Sequence, residues 1–339
     1  MNSEVAFGSE SKYYAARQTT EKRDSRPHVK NLKAILDRYD PDLRLKVERA
    51  FSQWNNILRD YLRNETGLRL SVGDDKRAVP VRIDDGLPLP FQSVLEDFPE
   101  PALWNLQLNS EAFAVGASGL EALEMNFEFI ETSIEELPAS VEEIRHSREL
   151  LVLLNDWLKK LGLLKRIRAI HEDILGAYFF RVPEIRLYWM VIGLISRTLG
   201  VSAEALTIVV AAHELAHAYT HIGRDIDGIR WETEAFAAAE LKIAEGLAQF
   251  YTRAVCMSLS DRFPAAKVAY EALLAVQSGP YTVHSDWALP EHSAGEVVRF
   301  TMIQTRSNAV TSYEDFKNDL EHVRHQATRG TMLQLIARR

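Results

Sequence analysis

Only one cysteine occurs among the 339 residues, Cys256, so no intrachain disulfide framework and no cysteine-built metal cluster is available. Long apolar runs are also missing. The longest, Leu187 to Ser196, has ten residues and follows Arg186, about half of what a membrane span needs. The polar N-terminus carries no apolar signal core. Nor is one sign of charge in large excess: 40 basic against 48 acidic residues give a net charge of −8. That balance excludes a bulk electrostatic case for nucleic acid or an anionic membrane. No phosphate-binding glycine loop and no serine-nucleophile elbow is recognisable. What is present, 46% hydrophobic and 26% charged residues, is ordinary globular composition. The expectation is a soluble, cytoplasmic protein without a membrane span or a nucleic-acid partner, in which Cys256 is a buried small residue.

Residues 1–30 read as a solvated polar tail, and the remainder divides into a mixed helical and β region at 31–165 and a mainly helical region at 166–339. Helical periodicity starts near Leu32, breaks at Asp40-Pro41, continues through Val47, Trp54, Leu58 and Leu62, and ends around Asn64 to Gly67. Short β-like stretches follow at Arg69 to Val72 and Val79 to Ile83, and Glu124 to Ile130 alternates like a strand. Ser140 opens a helix running to about Lys165, with Ile144, Leu150, Leu151, Leu154, Trp157, Leu158 and Leu161 as its stripe. Gly176 to Val182 and Ile185 to Tyr188 read as strands around Pro183. Gly200 closes one helix and Ser202 starts a longer one. The fold class expected is α+β, predominantly helical.

One motif stands out, His213-Glu214-Leu215-Ala216-His217. Residues four apart in a helix differ by about 40° in azimuth and about 6 Å in height. Two imidazoles at that spacing can converge on zinc, which takes nitrogen or oxygen ligands at about 2.0–2.1 Å. Glu214 can then reach a metal-activated water as general base without occupying a ligand position. With ten histidines in the chain, random placement gives roughly 0.03 copies of the pattern, so the flanks matter. Val209-Val210-Ala211-Ala212 before it and Ala218-Tyr219 after it are uncharged and suit a buried helix, where bare polar groups would be costly. His221, rotated by about 80° from His213, reads as a C-terminal histidine favoured by the helix dipole.

With these residues the chain resembles the HExxH zinc metallopeptidases, the zincins, over about Ile185 to Thr252. By that resemblance Ile185 to Tyr188 is the edge strand that pairs with an extended substrate, Val201 to His221 is the active-site helix, and the reaction is zinc-dependent peptide hydrolysis. Thr220 and Gly223 stand where the metzincin branch needs glycine and histidine, so the resemblance is to the gluzincin-like branch. That branch takes its third ligand from a glutamate on a second helix, expected here from Glu232 to about Val255. Glu232, Glu234, Glu240 and Glu245 are the candidates. Glu245 is preferred because Glu245-Gly246-Leu247-Ala248 is similar to the glutamate-glycine-x-alanine stretch of gluzincin-like peptidases. Gly246 and Ala248 would let the two helices approach closely. Where thermolysin-like members carry a carboxylate orienting a zinc histidine, this chain has Gln249, with Asp225 or Asp227 as substitutes.

Peptide hydrolysis also needs a donor for the tetrahedral oxyanion. Tyr281 and His284 in a turn-rich stretch are the first candidates, with Tyr251 and His292 behind them; His322 and His325 read as surface groups. Two rivals stay open: a zinc-bearing interaction protein without proteolytic activity, and a metal-free helical binding module.

Overall fold

The computed structural model describes residues 27–70, 79–127, 139–168, 174–287 and 294–328. Predictions that fall on the tail before residue 27, on Ser71 and Val72, on Glu128 to Ile130 and on His292 therefore lie outside the described residues. The described ones form a predominantly helical α+β protein.

Proline at position 41 ends the first helical register, giving α1 (Pro27–Tyr39) and α2 (Leu43–Thr66). Gly67, at φ +70°, closes α2 and gives its N–H to Arg63 O. Arg69 then pairs with Arg224 in an isolated bridge. Three strands make one sheet: β1 (Val81–Asp84), β2 (Gly176–Phe179) and β3 (Glu184–Tyr188), in the order β1-β3-β2. Strand β3 runs parallel to β1, with Val81 opposite Ile185, and antiparallel to β2, with Gly176 opposite Leu187. The expected edge strand Ile185 to Tyr188 is thus the middle strand, and β2 is an edge among the described residues. Alternation along a sequence shows that a strand exists but not how many neighbours it has.

Short helices α3 (Leu89–Asp97) and α4 (Pro101–Leu108) lead into a hairpin of α5 (Ser110–Met125) and α6 (Val141–Leu161). The strand expected at Glu124 to Ile130 is corrected at its start, because Glu124 and Met125 are the last residues of α5. Glu124 bonds Arg145 at 2.7 Å and Arg148 at 3.3 Å across the hairpin. Ser140 and Glu143 form a reciprocal capping box at the start of α6. Gly162, at φ +74°, ends it short of Lys165, and a separate turn of helix, α7 (Leu163–Arg168), follows. The expected stripe of α6 is split: Ile144 and Leu158 are buried, whereas Leu150 and Trp157 are exposed.

Helices α8 (Trp189–Thr198), α9 (Ala203–Ile222), α10 (Thr233–Ala238), α11 (Leu241–Ser258) and α12 (Pro264–Leu274) follow the sheet. Two 3₁₀ turns, Gly279–Tyr281 and Val283–Asp286, then α13 (Ala294–Ser307) and α14 (Tyr313–Thr328) complete the chain. Helix α9 is central, packed against α2, α8, α11, α12 and the sheet. One hydrophobic cluster runs from Val29 through Leu58, Leu187, Leu215 and Leu247 to Val323. It crosses the boundary expected at 165/166, and β1 from the first region pairs with β3 from the second. No helix among the described residues is long and apolar enough to cross a membrane. The Leu187 to Ser196 run is divided between β3 and α8 and is buried.

Candidate metal centre

Ser202 fixes the start of α9 by accepting the Ala205 N–H, which sets which residues face which way three turns later. From Ala205 to His221 every residue of this helix is buried, so its polar side chains must find partners inside the protein. His213 and His217, exposed at 7% and 4%, turn toward α11, where Glu245 at 3% meets them. The two Nε2 atoms are 3.1 Å apart, and Glu245 Oε2 lies 3.2 Å from each. Four-coordinate zinc with bonds of about 2.0–2.1 Å requires ligand separations of about 3.3–3.4 Å. The triangle already has nearly that size, and two imidazoles with one carboxylate are a borderline donor set suited to zinc. The residues present therefore fit the metal that the motif implies.

Burial alone would raise the Glu245 carboxyl, but His217 and His213 beside it outweigh that effect and hold it below the usual carboxylate range. A carboxylate that stays ionised while buried is what a divalent cation needs as a ligand.

The other candidate glutamates go elsewhere. The helix expected over 232–255 breaks where Ala239 and Glu240 are extended, both at ψ +139°, which separates α10 from α11. Glu240 accepts the Tyr313 N–H at the break. Glu234 is exposed on α10 and faces Arg181 at 3.6 Å, and Glu232 faces Arg230 at 3.9 Å. Gly246 does not serve the approach of α11 to α9. A Cβ there would stand 2.4 Å from Trp287 Cη2 and 2.8 Å from Val283 Cγ2, so the glycine admits the 283–287 turn instead.

Glu214 is buried at 1% and lies against β2. A Cβ added at Gly176 would come within 2.9 Å of its Oε1. Gly176 is thus a residue that sequence reasoning missed, although a glycine heading a strand is a recognised sign of close approach.

Compared with family models, with characterised proteins and with solved structures, the chain matches none. What the centre can do rests on its own residues.

Tyr281 is buried, with its ring 6.2 Å from that of His213. His284 is placed differently. Its Nε2 lies 2.9 Å from Tyr270 Oη and its Nδ1 lies 3.0 Å from Tyr281 O, so both ring nitrogens are engaged in holding the turn that carries Tyr281. Burial lowers its pKa to about 4. As an oxyanion donor it is therefore corrected to a support for Tyr281. Tyr251 is directed to Met302 Sδ at 3.7 Å. Gln249 donates to Gln277 Oε1, and Asp225 accepts from the N–H groups of Asp227 and Ile229 within its own turn. None of these three bonds is to a motif histidine.

His221 is no exposed helix-end cation. It is fully buried, stacks on Phe236 at 4.4 Å and has Tyr178 Oη 2.9 Å from Nδ1. Desolvation pushes its pKa down to about 3, so it is a neutral core group. Cys256 is buried and its thiol is pushed up to about 12, as a small core residue would be. His322 and His325 lie on the surface of α14.

Proposed function

We propose that the protein hydrolyses peptide bonds with zinc held by His213, His217 and Glu245, in the manner of a gluzincin-like zincin. The observation that carries this reading is the triangle of Nε2, Nε2 and Oε2 atoms at 3.1–3.2 Å, with Glu214 one residue after the first histidine. A zinc ion bound there supplies Lewis acidity, which acidifies water and polarises a carbonyl. Glu214 takes the proton of the attacking water and passes it to the leaving amine. Tyr281 donates to the oxyanion, with His284 and Tyr270 fixing its turn. The substrate main chain pairs with an end strand of the described sheet, β1 or β2, the latter buried from Gly176 to Tyr178 with Gly176 against Glu214. This moves the pairing edge from β3, which has neighbours on both sides.

Near-complete burial of the three ligands favours a second reading, a structural zinc without hydrolysis, since closed sites are the structural kind. One experiment separates the two. Elemental mass spectrometry of protein purified without added metal should find about one zinc per chain, lost in His213→Ala. Cleavage of a peptide library should then disappear in Glu214→Gln while zinc is retained. Retained zinc with no cleavage by the wild type selects the structural reading, and no metal in any form removes both.

A further inference from the structure

Away from the metal centre, the α5–α6 hairpin has more apolar surface than its own packing uses. The helices run antiparallel: Glu124 at the end of α5 meets Arg145 at the start of α6, and Gly116 meets Leu151 near the middle. They pack mainly on each other. On α6 the inward stripe is Ile144, Leu151 and Leu158. Leu150, Leu153 and Trp157 lie on one arc about 100–160° round from it, exposed at 65%, 66% and 45%. On α5, the inward direction is set by Phe113, Gly116, Ala117, Leu120 and Glu124, none of which is exposed. Ala112, Val115, Gly119 and Ala122 are exposed on an arc about 90–170° round in the same rotational sense. Because the helices are antiparallel, equal rotations bring both arcs to the same side of the hairpin.

Between the two arcs the described residues place no lysine or arginine, and the carboxylate of Glu143, in the first turn of α6, is taken up by the Ser140 cap. The charged groups Glu124, Arg145 and Arg148 are used inside the hairpin, and His146 stands at one end of the face. It has a ridge, the two leucines and the tryptophan of α6. Beside it is a trough lined by the small residues of α5, open enough that a Cβ at Gly119 meets nothing within 4 Å.

We propose that this face joins two copies of the chain, α6 of each copy seating its ridge in the α5 trough of the other to complete a four-helix bundle. Two observations select a second copy as occupant. Ridge and trough lie side by side on one surface, which is the self-complementarity that a two-fold interface requires. The exposed parts of Val115, Leu123, Leu150, Leu153 and Trp157 amount to roughly 500 Å² of apolar area, at the upper end for a patch on a monomer. With the small residues and backbone of α5 added, the face approaches the ~800 Å² per partner of a stable interface. Two antiparallel hairpins packed face to face bury both apolar sides of each helix pair.

Sedimentation and multi-angle light scattering of the full chain at micromolar concentration test this. The wild type should show twice the 38.5 kDa chain mass. Leu153→Glu should be monomeric with unchanged circular dichroism, whereas Met125→Glu, on the opposite side of the hairpin, should remain dimeric. If Leu153→Glu fails to fold, Gly119→Trp decides: it meets open space within one chain but fills the trough, and should weaken dimerisation at least tenfold. A monomeric wild type overturns the proposal, including one whose α6 amides are protected from exchange by some other occupant. A dimer that persists in both Leu153→Glu and Gly119→Trp overturns it equally.

Discussion

Helices α9 and α6 are of similar length, 20 and 21 residues, and each breaks the simple rule of polar outside and apolar inside, but in opposite directions. Helix α9 takes three histidines and a glutamate into the core, where each must be met by another side chain or a ligand. Helix α6 leaves two leucines and a tryptophan exposed, with nothing among the described residues covering them. In the first case the departure gathers the groups of the proposed metal centre, and in the second it leaves the face proposed to join two copies. The difference shows why a buried polar group and an exposed apolar one are the informative positions in a fold.

The sharpest way to break the contrast is to remove polarity from the core. Glu245→Ala should abolish zinc retention altogether, read as metal per chain, and with it any peptidase activity. If zinc binding survives at full stoichiometry, Glu245 is not a ligand. Glu214→Gln should keep the metal and lower turnover by about 10²–10⁴-fold, the range for losing a general base. The next effect compares two glycines. Gly246→Ala drives a methyl into Trp287 and should cost about 1–3 kcal/mol in denaturant unfolding. Gly119→Ala, in open space within α5, should instead stabilise the helix by up to about 1 kcal/mol. Equal effects at both sites would mean that the two regions are packed alike.

Two buried histidines give the core a pH signature. His221 and His284 have folded pKa values of about 3 and about 4, below the ordinary 6.5. Above 6.5 they are neutral in both folded and unfolded states and impose no penalty. Below 6.5 the unfolded chain binds protons that the folded protein does not. Stability should therefore fall with decreasing pH, by about 1.4 kcal/mol per unit for each histidine, until about pH 4 for His284 and about pH 3 for His221. Urea unfolding between pH 7 and 5 checks the slope, which should be shallower in His221→Phe. The smallest change expected is Ser140→Ala at the α6 cap, about 1 kcal/mol. It should appear in amide exchange of the hairpin before it appears in α9.

Much of this was written in local chemistry. Proline 41, Gly67, Ser140 and Ser202 act within a turn of themselves, so the helix ends they set could be read directly. The four-residue spacing of His213 and His217 is likewise a property of one helix, whereas Glu245 was preferred among four glutamates only by the resemblance of its stretch to gluzincin-like peptidases. Long-range pairing was not legible in the same way. That Ile185 to Tyr188 has neighbours on both sides depends on β1, about a hundred residues earlier in the sequence. That His284 supports Tyr281 depends on Tyr270, and that Gly246 yields to Trp287 depends on a turn forty residues away. Sequence alone determined the ends of α2 and the starts of α6 and α9, with the two histidines on one face of α9, because these follow from periodicity and steric limits within a few residues. The tertiary structure decided which strand is an edge, which glutamate completes the triangle and which face of α6 stays bare, because each depends on what packs against it.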